Sequence, residues 1–92
     1  MKIKIAILGA TGSIGSNLLK IIEKNNHKFE IVLLTAHRNY NKLLKLSQKF
    51  NVKNLIITDL KNFELLKKKT KNLKINTYNN FNQLDKIFKK KK

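Results

Sequence analysis

Isoleucines at positions 3, 5 and 7 alternate with polar or small residues, and the run then becomes continuously apolar from Ala6 to Leu8. That pattern predicts a β-strand over Lys2 to Leu8 that becomes buried on both faces. After a glycine-rich stretch, Ile14, Leu18, Ile21 and Ile22 recur at helical spacing up to about Lys24, where Asn25 and Asn26 supply a stop. Phe29 to Thr35 is a second apolar, β-branched run, and Asn41 to Phe50 carries Leu43, Leu44, Ser47 and Phe50 on a helical pattern. A third strand is expected over Val52 to Thr58. Asp59 then caps a helix whose inner face holds Phe63, Leu66 and Leu65. Lys67, Lys68, Lys69 and Lys71 lie at the end of that helix, where cations suit the negative end of its dipole. A weaker strand over Leu73 to Tyr78 and a short helix over Asn82 to Lys90, with Leu84, Ile87 and Phe88, complete the pattern.

Strands separated by helices of this length need crossover connections, so the expected architecture is α/β with a mostly parallel sheet. The alternation stops after the last helical pattern, at Lys89-Lys90-Lys91-Lys92, where another strand would normally follow. The expectation is an incomplete α/β/α sandwich over residues 1–88 with a basic tail over 89–92, from a fragment or truncated reading frame.

The segment Gly9-Ala10-Thr11-Gly12-Ser13-Ile14-Gly15 stands where the first strand ends and the first helix begins, and it holds all three glycines of the chain. In that context Gly9 permits a tight turn, Gly12 lets backbone approach a pyrophosphate, and Gly15 lets the helix pack close to the sheet. The helix N-terminus offers unpaired N–H groups and a positive dipole end to the same phosphates, and Thr11 and Ser13 add hydroxyl donors. The spacing is G-x-x-G-x-x-G, that of the broad group of Rossmann-like nucleotide-binding folds.

Charge and composition complicate this picture little. The net charge of +16 comes from 21 lysines and arginines against five acidic residues. The lysines are spread among asparagines and isoleucines, and Arg38 is the only arginine. A basic nucleic-acid or membrane-surface module is therefore an alternative carried by charge alone, without the guanidinium forks and stacking aromatics of specific sites. No run approaches the length of a membrane span, and the cysteine-free sequence suits a reducing, cytoplasmic setting.

Enzymes that use NAD usually carry an acidic residue about 20 residues beyond the glycine turn, at the end of the second strand. Here that place reads Thr35-Ala36-His37-Arg38-Asn39, without a carboxylate. A guanidinium can bind a 2′-phosphate with a forked pair of hydrogen bonds, whereas a carboxylate would repel it, so the residues point to NADPH.

The glycine turn, the Phe29-Glu30-Ile31-Val32-Leu33-Leu34-Thr35-Ala36 run and Arg38-Asn39 followed by the Leu43 to Phe50 helix together resemble the 1-deoxy-D-xylulose 5-phosphate reductoisomerase family, an NADPH-dependent group of the non-mevalonate isoprenoid pathway. The motifs run from Met1 to about Asp59. The resemblance implies that Thr11, Gly12, Ser13, Ile14, Arg38 and Asn39 contact NADPH, with His37 in the same loop where the family generally has glycine. Ala10 stands where the family often has serine. The resemblance also implies a homodimeric enzyme using Mg²⁺ or Mn²⁺, whose metal ligands, substrate-phosphate site and lid lie outside this chain. No catalytic or metal-binding residue is assigned, and the chain alone is expected to be inactive. The cofactor domain of another NADP-dependent reductase is a further alternative.

Overall fold

The computed structural model describes residues 2–89. Four strands and four helices alternate: β1 (Ile3–Ile7), α1 (Ser13–Lys24), β2 (Phe29–Ala36), α2 (Tyr40–Phe50), β3 (Asn54–Ile57), α3 (Leu60–Lys69), β4 (Asn76–Tyr78) and α4 (Leu84–Lys89). The strands form one parallel sheet in the order β1-β2-β3-β4. The predicted element order and open α/β sheet are thus observed. The basic tail expected over 89–92 begins inside α4 at Lys89; its positions 90–92 lie outside the described residues.

Two apolar clusters sandwich the sheet. On one face Leu19 and Ile22 of α1, Leu43 of α2 and Leu66 of α3 pack with Ile7, Ile31, Leu34, Leu55 and Ile57. On the other, Val32, Leu33 and Ile56 meet Ile87 of α4, with Ala6, Tyr78 and Leu84 beside them. β2 and β3 are buried along nearly their whole length, because both faces are covered and both edges are paired.

β1 departs from expectation. It is an edge strand, paired only with β2, and only Ile7 at its end is buried. Its apolar sequence predicted burial on both faces, but Ile3 and Lys4 are exposed and Ile5 and Ala6 only half-buried. The buried face of α1 also differs from the expected one. Gly15, Leu19 and Ile22 are its buried residues, while Ile14, Leu18 and Ile21 of the predicted apolar stripe are exposed. Between Ile5 and Ala6 the β1–β2 register slips by one, leaving Val32 as an extra residue in β2.

Asparagine takes the turn positions that glycine does not. Asn51 ends α2 in the left-handed region at φ 57°, its N–H bonded to the Ser47 carbonyl. Asn39 and Asp59 cap α2 and α3 by accepting from the N–H groups of Lys42 and Asn62.

Candidate nucleotide site at the carboxyl ends of β1 and β2

The glycine turn leaves β1 with Gly9 at φ +66°, a conformation that side chains other than glycine seldom adopt. Thr35, buried at the end of β2, anchors the turn: Gly9 N donates to Thr35 Oγ1 at 3.1 Å and Ala10 N to the Thr35 carbonyl at 2.8 Å. α1 then starts so close to the turn that a Cβ on Gly15 would stand 2.3 Å from Gly9 O and 2.8 Å from Ala10 Cα. The fold itself therefore requires Gly9 and Gly15.

Gly12 is different. It is the N-cap of α1 at φ −85° and ψ 177°, an ordinary extended conformation. A Cβ there would meet only Gly9 O at 3.5 Å, a normal contact. Nothing in the packing asks for glycine. What its missing side chain leaves open is the start of α1, which has no side-chain cap and no acidic residue in its first turn. The first N–H groups of a helix lack intrahelical acceptors, and here they emerge among the exposed Gly12, Ser13 and Ile14, with Thr11 half-buried beside them.

The end of β2 runs alongside. After the buried Thr35 and Ala36, the chain turns outward through the exposed His37, Arg38 and Asn39 before α2. This loop is fixed by neighbours: Thr58 N donates to the Ala36 carbonyl at 3.2 Å and Asp59 N to the His37 carbonyl at 2.9 Å. His37 Nδ1 and Thr58 Oγ1 are hydrogen-bonded at 2.6 Å. Position 37 is not among the residues with positive φ, so histidine imposes no left-handed strain there. Asn39 Oδ1 is occupied as the cap of α2, accepting from Lys42 N at 3.2 Å, which leaves only its amide group for a ligand.

Two features of the site escape the linear sequence. One is Asp59, which β3 brings to within 4.0 Å of Arg38 Nε although no carboxylate follows β2 itself. Its Oδ2 accepts from Asn62 Nδ2 at 2.7 Å and Asn62 N at 3.1 Å. These bonds hold the Asp59 carboxyl below its ordinary pKa of 3.8, with smaller contributions from Arg38 and His37. Because Asp59 is committed to α3, the exposed Arg38 guanidinium faces it only through a long, weak pair. The other is Lys42, whose ammonium reaches from α2 to the Thr11 carbonyl at 3.2 Å and Ser16 Oγ at 3.4 Å.

An open concavity of about 810 Å³ lies at the opposite end of the sheet, lined by Glu23, His27, Glu30 and Lys49 among others. It is formed where α1 and α2 end and β1 and β2 begin, away from the glycine turn, and Glu23 is paired there with Lys49 at 3.5 Å. Among the described residues no three His, Asp or Glu side chains are gathered to hold a metal ion, and no helix is long and apolar enough to cross a membrane.

The family model described as 1-deoxy-D-xylulose 5-phosphate reductoisomerase matches residues 5–92, well past Asp59, where the recognisable motifs end. Similar curated proteins include the reductoisomerase of Pelagibacter ubique (strain HTCC1062), 54% identical over 85 residues, covering 92% of this chain and 22% of the relative. The reductoisomerase of Clostridium novyi (strain NT) is 40% identical over 85 residues, covering 90% of this chain and 22% of the relative. Among solved structures, the Zymomonas mobilis reductoisomerase in complex with NADPH superposes with a TM-score of 0.82 at 29% identity, covering 95% of this chain and 23% of that one. A reductoisomerase in complex with NADPH, fosmidomycin and magnesium gives 0.81 at 30% identity, covering 95% and 21%. The chain spans about a fifth of the length of the curated relatives it matches.

Proposed function

The chain belongs to the 1-deoxy-D-xylulose 5-phosphate reductoisomerase family, and we propose that it is the part of such an enzyme that holds the adenosine and pyrophosphate of NADPH. The observation that carries this reading is Gly12: an exposed glycine that the fold does not require, at the uncapped start of a helix. A phosphate is the ligand such a terminus favours, since it accepts the open N–H groups and meets the positive end of the dipole.

In this reading the Gly12, Ser13 and Ile14 amides receive the pyrophosphate, with the Thr11 and Ser13 hydroxyls beside it. The adenosine ribose lies at the end of β2, in the crevice outside the carboxyl ends of the strands. Arg38 takes the 2′-phosphate, Asn39 offers its amide group, and His37 borders the same pocket. In the whole enzyme the bound nicotinamide would supply hydride for the reductive rearrangement of 1-deoxy-D-xylulose 5-phosphate. None of the residues described here is assigned to that chemistry. The five acidic residues, Glu23, Glu30, Asp59, Glu64 and Asp85, do not form a donor set for the magnesium or manganese the family reaction would use.

Calorimetric titration of NADPH and NADH tests the reading. A charge-assisted contact from Arg38 contributes about 1.5–3 kcal/mol, roughly ten- to a hundredfold in affinity. The native chain is expected to prefer NADPH by at least that lower factor, and Arg38→Ala to lose most of the preference. Equal affinity for both cofactors in the native chain would refute the assignment.

A further inference from the structure

We infer that Lys42 is a second cation for the 2′-phosphate and shares with Arg38 the discrimination between NADPH and NADH; the inference rests on the cofactor reading above. Lys42 sits in the first turn of α2, directly after the loop of His37, Arg38 and Asn39. Its ammonium spans the gap between that loop and the glycine turn, donating to Thr11 O at 3.2 Å and Ser16 Oγ at 3.4 Å. It therefore stands over the space between the two parts of the candidate site.

Three features bear on what this lysine could hold. Both acceptors are neutral and the bonds are long, so a phosphate would give the ammonium a shorter, charge-assisted partner. Among the described residues the ion pairs are Arg38 with Asp59 and Lys49 with Glu23, and Lys42 is in neither. Finally, a cation in the first turn of a helix opposes the dipole, and α2 has no acidic residue there to offset it. Of the four lysines of α3, Lys67, Lys68 and Lys69 lie in its last turn and Lys61 in its first. An anion bound beside Lys42 would relieve the repulsion from the helix terminus. Arg38 differs in that its charge is already shared, weakly, with Asp59. The two cations lie four residues apart at the start of α2 and would approach one phosphate from two sides.

The test separates 2′-phosphate recognition from general charge and from the architecture of the turn. Adenosine 2′,5′-bisphosphate and adenosine 5′-monophosphate are titrated into the native 92-residue chain, Lys42→Met, Lys42→Arg and Lys45→Met, with a thermal melt of each. Lys45→Met removes the same charge from an exposed position on the same helix. Lys42→Met is expected to weaken the bisphosphate about tenfold and the monophosphate by less than about twofold, with Lys42→Arg close to native. Lys45→Met is expected to leave both unchanged. Equal weakening of both nucleotides by Lys42→Met would assign the residue to holding the turn and overturn the inference, as would equal losses from Lys42→Met and Lys45→Met. Native preference for the bisphosphate that survives Lys42→Met overturns the inference alone. A native chain that binds neither nucleotide overturns the cofactor reading together with it.

Discussion

Replacing Gly15 with alanine should damage the fold, whereas replacing Gly12 should damage only ligand binding. The Gly15 Cβ would lie 2.3 Å from Gly9 O, 2.8 Å from Ala10 Cα and 3.0 Å from Gly9 C. All three are backbone atoms of the turn and cannot rotate aside. Relief comes only if α1 moves away, which loosens the packing of Leu19 and Ile22 against the sheet. Overpacking of this kind costs about 1–3 kcal/mol. For a domain of this size that lowers the melting midpoint by roughly 5–20 °C. Gly12→Ser has the opposite expectation. The backbone there is already in the extended conformation of an N-cap, and a serine hydroxyl can accept from the first N–H groups of α1. Stability should rise by a few tenths of a kcal/mol, about the difference between serine and glycine caps. The same hydroxyl competes with the pyrophosphate, so nucleotide affinity should fall. Circular-dichroism melts of the native chain and both variants, followed by NADPH titration, read both effects. A Gly15→Ala chain that melts with the native one would refute the close-approach argument. Gly12→Ser that binds NADPH as well as native would remove the role given to the open helix start.

Asp59 should couple the site to acid. Its pKa is lowered in the folded chain, so its carboxylate contributes stability above about pH 3.8, and that contribution is lost as pH falls through the lowered folded value. Melts from neutral pH to pH 2.5 should therefore show a smaller acid-induced drop in Asp59→Asn, which keeps a cap without a titrating group; identical drops would contradict this. Binding to DNA should be sequence-independent and collapse with salt, because dispersed lysines supply charge without base readout. Tight, sequence-selective retention at about 0.2 M salt would contradict that.

Local chemistry made most of this molecule legible. Periodicity located every element, Asp59 was readable as the α3 cap, and the strand-turn-helix context located the glycine turn. Errors of sequence reading fall where a residue's environment depends on remote neighbours. The apolar alternation of β1 predicts burial but says nothing about which strands pair with it. On α1 the apolar residues Ile14, Leu18 and Ile21 are exposed, which helical spacing alone does not reveal. Within the site, Thr35 was visible as part of a family-like run, but its hold on Gly9 and Ala10 needs the β1–β2 pairing. Asp59 reaches Arg38 only because β3 lies next to β2, and Lys42 reaches Thr11 across 31 positions of sequence. The signal available for Lys42 was its place in the first turn of α2, where a lysine is poorly matched to the helix dipole. Whether histidine fits at position 37 likewise depends on a backbone angle that the sequence does not show.

The central claim, that the glycine turn and the end of β2 form one NADPH site, is tested most directly by residue-resolved titration. Adding NADPH to the isotopically labelled chain should produce saturable amide shifts at Thr11, Gly12, Ser13 and Ile14 together with His37, Arg38 and Asn39. The Glu23, His27 and Glu30 amides at the far end of the sheet should stay still. Saturable shifts confined to that far end, or none at the glycine turn at saturating NADPH, would contradict the account.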